Sequence, residues 1–226
     1  MRILKDDKYE SILVAAREEF ISKGFKEASM RYIANKSNVG LSNIYNYFRN
    51  KDELYLAVVK PARDEIFSYI TQLHTEENVS INRSSTFGHQ DDAIDHYIAL
   101  VEKYKDELRL LLYRSAGSSM SDFRDEFTDH LTRISRDYME LERKHFPDMK
   151  LVSGFFIHVM SAWMVSVLGE IVAHNLNREK IREFFREFFR FEFAGWKELT
   201  GVLRGDRKCL PFLLNKMEHC SLLKLN

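Results

Sequence analysis

The sequence predicts an all-α protein. Three observations carry that reading: apolar residues recur at three- and four-residue steps through most of the 226-residue chain, alternating strand-like runs are few, and helix breakers are sparse, with 9 Gly and 3 Pro. With 45% hydrophobic residues the chain is long enough to bury a sizeable core, as one large domain or as a small domain joined to a larger one.

The elements follow in order. A first helix is expected to start at the Asp7-x-x-Glu10 capping box, to place Ile12, Leu13, Ala16 and Phe20 on one face, and to stop at Gly24. A second starts at Ser29, a good N-cap, and runs through Met30, Ile33 and Ala34. Asn38, Val39 and Gly40 make a tight turn, after which Leu41 to Phe48 forms a third, very short helix. Asn50-x-x-Glu53 reads as a further capping box opening a long helix over about 51–75, bent near Pro61. The polar stretch 76–90 reads as an exposed loop.

Helical spacing resumes at Asp91. Ile94, Tyr97, Ile98, Val101, Leu108, Leu111 and Leu112 define one or two helices ending near Gly117. Phe123, Phe127, Leu131, Ile134 and Tyr138 define another over Ser119 to Phe146, which Pro147 ends. Asp148 is expected to cap the next helix, to about His174, and Asn177 the last, to about Gly201. The sum is about nine helices. Leucines beyond Gly201 suggest one extra amphipathic helix, with a loose tail as the alternative.

The last two long helices are apolar over an unusual width. In one, Ile181, Phe184, Phe188 and Phe191 form a stripe beside Phe185, Phe189, Phe193 and Trp196; its predecessor carries small residues such as Gly154, Ser161, Ala162 and Ser166. Such helices need partners on two sides. The expectation is a homodimer through helices at about 148–174 and 178–200, with the same patch meeting itself across a two-fold axis.

Charge points to a local anomaly. The chain has 34 basic and 34 acidic residues, so an anionic partner must be met by a patch and not by a global field. Ala28 to Lys51 contains Arg31, Lys36, Arg49 and Lys51 and no acid. Two short helices joined by a glycine-containing turn are also the layout of a helix-turn-helix, whose second helix enters the DNA major groove. On that layout Leu41, Ser42, Asn43, Tyr45, Asn46 and Tyr47 form the exposed face of the second helix, with asparagine suited to adenine and Leu41 to a thymine methyl, while Ile44 and Phe48 anchor it to the body. Ser29, Arg31, Tyr47 and Lys51 are placed for phosphates, helped by backbone N–H groups at the starts of the second and fourth helices. Composition alone equally allows Tyr45 and Tyr47 to be core residues and the cations a solvated face.

The stretch from Ile12 to Val58 resembles the N-terminal domain of the TetR family of bacterial transcriptional regulators. The resemblance rests on Gly24-Phe25, Ser29-Met30-Arg31-Tyr32-Ile33-Ala34, Asn38-Val39-Gly40 and Ile44-Tyr45-Asn46-Tyr47-Phe48-Arg49-Asn50-Lys51-Asp52-Glu53-Leu54. It implies that Arg31, Leu41, Ser42, Asn43, Tyr45, Tyr47 and Lys51 occupy positions used on DNA. It also implies a DNA-binding domain over 1–52 and a helical regulatory and dimerisation domain over 53–226, which often takes a small ligand. The chain departs from the family pattern in Asn38, where glycine is usual, in Gly40, where serine is usual, and in Ser42, where glycine is often found. Gly40 remains an acceptable N-cap, but a serine hydroxyl contact to phosphate is lost there.

The function expected from these readings is a cytoplasmic, ligand-released repressor that binds a palindromic operator as a dimer; a ligand-independent regulator and a helical protein-binding adaptor are the alternatives. Tyr97, Tyr113, Phe123, Phe127, Trp163 and Met164 are the candidate lining of a pocket for a small hydrophobic or aromatic ligand. No enzyme motif appears: the eight histidines are scattered and no H-E-x-x-H, G-x-S-x-G or glycine-rich phosphate loop is present. Cys209 and Cys220 support neither a disulfide scaffold nor a four-ligand zinc site, so no metal or cofactor is expected. The apolar run Leu151 to Ala173 is interrupted by His158, Ser161 and Glu170, which argues against a membrane span.

Overall fold

A computed structural model describes residues 2–74 and 89–201. Among them the chain forms eight helices and no strand: α1 (Arg2–Glu27), α2 (Met30–Ser37), α3 (Leu41–Ile44), α4 (Lys51–Leu73), α5 (His89–Tyr113), α6 (Phe123–His145), α7 (Gly154–Ala173) and α8 (Arg178–Thr200). The expected loop at 76–90 and the tail after Gly201 lie, apart from the first residues of α5, outside the described residues.

Two compact units divide the chain. The first takes residues up to Glu65 together with Tyr104–Glu126, and the second takes Ile66–Lys103 together with residues from Phe127 onward. This division differs from the expected boundary at 52/53. The reason is a set of bonds between residues about 90 apart: Arg17 pairs with Glu107 and with Asp106, and Arg114 Nη1 donates to the carbonyls of Ile21 (2.6 Å) and Ser22 (3.2 Å). Phe25 N–H donates to Arg114 O at 3.0 Å and Ser119 N–H to Asp52 Oδ1 at 2.8 Å. No local periodicity reports pairings of that kind.

In the first unit Ile12, Phe20, Ile33, Ile44, Leu54 and Tyr55 are fully buried, each large apolar side chain contributing about 1.5–3 kcal/mol. Tyr55 meets Phe20 and Phe25 edge-on, with ring centroids 5.1 and 5.2 Å apart. Gly24 breaks α1 with φ 75° and ψ 172°, a backbone state that belongs to glycine.

Four local expectations are adjusted. α1 begins at Arg2, so Asp7 lies inside it and does not cap it; residues 2–6 include good helix formers and continue the helix upstream. α3 ends at Ile44, and Tyr45 to Phe48 continue as tighter turns, with Tyr47 N–H and Phe48 N–H both donating to Ile44 O. The box at α4 forms with a shift of one residue: Asn50 Oδ1 accepts from Glu53 N–H at 2.8 Å, while the Glu53 carboxylate takes Arg49 N–H at 2.6 Å. α7 is capped by Ser153, which accepts from Phe156 N–H, and not by Asp148. Lys150 N–H donates to Thr200 O at 2.9 Å, which holds the preceding segment in a non-helical path along the end of α8.

In the second unit α7 and α8 pack through rings, with Trp163 against Phe188 (4.9 Å) and Phe156 against Trp196 (5.6 Å). α7 is long and apolar enough to cross a membrane by length and composition, but Ile157, Ser161, Val165, Leu168 and Val172 are buried in the unit as a bundle helix requires. Phe155 and Phe191 remain 77% and 67% exposed, one on each of the two helices. As expected, Asn177 caps α8, accepting from Lys180 N–H at 2.9 Å.

Candidate nucleic-acid interface and ligand cavity

The acid-free segment folds into α2, a turn and α3. Ser29 caps α2 by accepting Tyr32 N–H at 3.3 Å, and Asn38 ends it in the left-handed conformation at φ 54°. Gly40 starts α3 as an N-cap without a side-chain bond, its carbonyl accepting from Asn43 N–H at 2.8 Å. Val39, Ile44 and Phe48 are buried and fix this element to the body of the unit. Ser42, Asn43, Tyr45 and Asn46 are exposed, and Leu41 and Tyr47 are half-buried.

The turn therefore presents a contiguous set of short polar and phenolic side chains. Asn46, expected on that exposed face, places its Nδ2 3.4 Å from Asn43 Oδ1 and joins that set. Tyr47 is braced by Tyr9 of α1, ring to ring at 6.2 Å, and Tyr9 stacks on Phe48 at 5.4 Å.

The flanks differ from expectation. Lys51 Nζ donates to the carbonyls of Lys26 and Ala28, both at 3.1 Å, and lies 4.6 Å from the centre of the Phe25 ring. It ties α4 to the α1–α2 connection before it offers anything outward. The N-termini of α2 and α4 are also partly satisfied from within: Ser29 N–H donates to buried Glu19 at 3.0 Å, and Arg49 N–H to Glu53. Lys36 pairs with Glu18 at 3.2 Å, so acids from outside the acid-free segment reach its edge. Arg31 is exposed on α2.

A cavity lies within the second unit. Ile66, Tyr69, Ile70 and His74 of α4 and its end, Tyr97 and Leu100 of α5, Phe127 and Leu131 of α6, and Met164 and Leu168 of α7 line it. Its empty space amounts to ≈ 490 Å³, part of it open to solvent. Of the six expected lining residues, Tyr97, Phe127 and Met164 are brought together there. Trp163 instead lines a more open groove between α7 and α8, with Glu170, His174 and Phe184. Phe123 is buried in the first unit, and Tyr113 of that unit is exposed beneath Arg124. Spacing along one helix cannot tell which unit a residue joins, and that is why these two were misplaced. No group of His, Cys, Asp and Glu able to hold a metal occurs among the described residues.

A buried helix pair carrying an exposed polar turn is the layout of a helix-turn-helix, here followed by a second helical unit with an apolar cavity. The sequence pattern of the bacterial regulatory proteins of the tetR family matches residues 12–58, the stretch that holds α2, the turn and α3. The chain is 35% identical over 71 residues to the HTH-type transcriptional activator FasR of Mycolicibacterium smegmatis, covering 31% of this chain and 32% of that protein. It is 39% identical over 62 residues to the uncharacterized HTH-type transcriptional regulator YhgD of Bacillus subtilis, covering 27% of this chain and 28% of that protein. The alignments thus span about a third of these relatives. Among solved structures, NalD, the secondary repressor of the MexAB-OprM multidrug efflux pump in Pseudomonas aeruginosa, superposes with a TM-score of 0.57 at 15% identity, covering 81% of this chain and 94% of NalD. FadR of Bacillus subtilis in complex with stearoyl-CoA gives a TM-score of 0.50 at 14% identity, covering 78% and 97%. At such identities the likeness is one of fold, and it extends the all-α two-unit architecture over most of the chain.

Proposed function

We propose that the protein is a dimeric transcriptional repressor that reads a palindromic operator through the Leu41–Tyr47 turn and is released by a hydrophobic ligand held in the second unit. The observation that carries the reading is that turn itself. It is acid-free, its apolar residues Ile44 and Phe48 are buried, and Ser42, Asn43, Tyr45 and Asn46 are exposed. Each acid would have repelled the phosphate backbone, and each exposed side chain has a donor or acceptor for a base edge or phosphate.

The dimer reading is supported by Phe155 on α7 and Phe191 on α8, large apolar side chains left exposed that a second copy would cover. Two such units hold their recognition turns roughly 34–36 Å apart on one face of the duplex. α4 carries Lys51 and Leu54 in the first unit and Ile66, Tyr69 and Ile70 of the cavity lining in the second. It is therefore the element through which a ligand shifts the spacing, by no more than its differential affinity for the two states.

FadR with its stearoyl-CoA supports a ligand-responsive second unit, and NalD supports repression. FasR, an activator by name, favours a second reading in which the same DNA contact recruits rather than blocks transcription. Selection of duplexes from a randomised pool tests the reading. Enrichment of an inverted repeat with half-sites one or more turns apart is the expected result. Survival of no motif, together with protein binding that ignores DNA altogether, would leave the adaptor reading standing.

A further inference from the structure

We infer that the cavity of the second unit selects an uncharged, slender amphiphile, a neutral chain or small ring carrying a hydroxyl, amide or ester, and rejects both anions and cations of the same shape. The inference rests on the reading that this cavity is the ligand site. Its described lining holds Ile66, Ile70, Leu100, Phe127, Leu131, Met164 and Leu168 with three polar side chains, Tyr69, Tyr97 and His74, and no Asp, Glu, Lys or Arg.

All three polar groups are neutral at physiological pH. Desolvation raises the phenols of Tyr69 and Tyr97 far above their ordinary range and lowers His74. His74 Nδ1 lies 2.6 Å from Ile70 O, which fixes the proton on that nitrogen and leaves the ring in the tautomer whose Nε2 is an acceptor. Packing fixes the tyrosines as well: Tyr97 meets Phe185 edge-on at 4.6 Å and Tyr69 stacks on His96 at 4.5 Å. The wall can thus exchange hydrogen bonds with a dipole but offers no counter-ion. On α5 and α8, Arg182 is paired with Asp95 and Arg178 with Glu102. An ion entering the cavity would lose its hydration without compensation. The facing side chains of α4, α5, α6 and α7 leave a narrow space between them, which suits a chain or a single ring better than a fused ring system.

The test is isothermal titration of the full chain at pH 7.5 with 1-decanol, decanoate and decylammonium, each below its aggregation concentration, paired with thermal melts. The expected result is saturable binding of decanol and a higher Tm, with the two ions at least about tenfold weaker. Met164→Trp, and Leu100→Phe should the first fail to fold, narrow the cavity and are expected to remove the decanol response while leaving the melt cooperative. Decanoate or decylammonium binding as tightly as decanol would overturn the inference and leave the cavity as a ligand site. Decanol binding that survives both substitutions, or silence from all three probes, would overturn the inference and the ligand site together.

Discussion

The ammonium of Lys51 sits 4.6 Å from the centre of the Phe25 ring and, through two 3.1 Å bonds, closes on the carbonyls of Lys26 and Ala28. A side chain whose type and position suggest a phosphate contact is thereby a strut between α4 and the end of α1. Its replacement by Met removes a cation–π contact and two charge-assisted bonds, at a cost of roughly 1–2 kcal/mol. The expected outcome is a lower Tm in circular-dichroism melts and weaker binding to every DNA sequence alike. An unchanged Tm with a salt dependence reduced by about one ion would instead make Lys51 a phosphate ligand.

Asn43 and Asn46 are one helical turn apart, with amide groups 3.4 Å from each other. A base-reading asparagine is worth about 1–3 kcal/mol of discrimination. Asn43→Ala is expected to flatten the preference at one position of each half-site and to leave the salt dependence unchanged. Selection experiments on wild type and variant read this directly, and an unaltered motif would remove Asn43 from the base contacts.

Glu142 and Glu192 are buried, and desolvation pushes their carboxyls from the ordinary 4.5 up to about 8 and about 7. The folded state therefore holds protons that the unfolded chain has released. Stability is fully present below about pH 4.5 and is lost as pH rises through 7 to 8. Glu142→Gln is expected to flatten this decline and to stabilise at pH 8.5 by on the order of a few kcal/mol, with little change at pH 5. Melts of both proteins across that range check it. An equal gain at both pH values would show that the glutamate is ionised at neither or at both.

Phe191 is 67% exposed on α8 and Phe155 77% exposed on α7. In the dimeric reading both are covered by the second copy. Phe191→Glu is expected to shift the protein to monomer in analytical ultracentrifugation while the Tm of the chain at high dilution holds, because the side chain contributes little to its own unit. A variant that stays dimeric would move the interface elsewhere.

The sequence makes the helices legible wherever apolar spacing and caps agree. Ser29, Asn177 and Gly201 act at the helix ends expected of them, and Asn50 with Glu53 fails only by one residue in the partner of the carboxylate. The exposed face of α3 and its anchors Ile44 and Phe48 were also readable, because burial there follows a simple i, i+4 rule. What could not be read depends on contacts distant in sequence. Arg17 with Glu107, Arg114 with Ile21 and Asp52 with Ser119 bring residues 104–126 to the first unit, and with them Tyr113 and Phe123 leave the expected cavity. Trp163 was misplaced for a subtler reason: α7 is apolar nearly all round, so composition alone does not say which side faces the cavity and which the groove with Phe184.

The measurement that tests the central claim most directly is fluorescence anisotropy of the selected duplex and a scrambled one, titrated with wild type and with Tyr47→Ala at two salt concentrations. Tyr47 is half-buried against the ring of Tyr9 at 6.2 Å, so a thermal melt of the variant accompanies the titration and separates a lost DNA contact from a lost fold. The account predicts that wild type prefers the selected duplex by about a thousandfold or more at physiological salt, and that the variant loses affinity while its melt is preserved. Equal, salt-sensitive binding to both duplexes, or an affinity untouched by Tyr47→Ala, would contradict it.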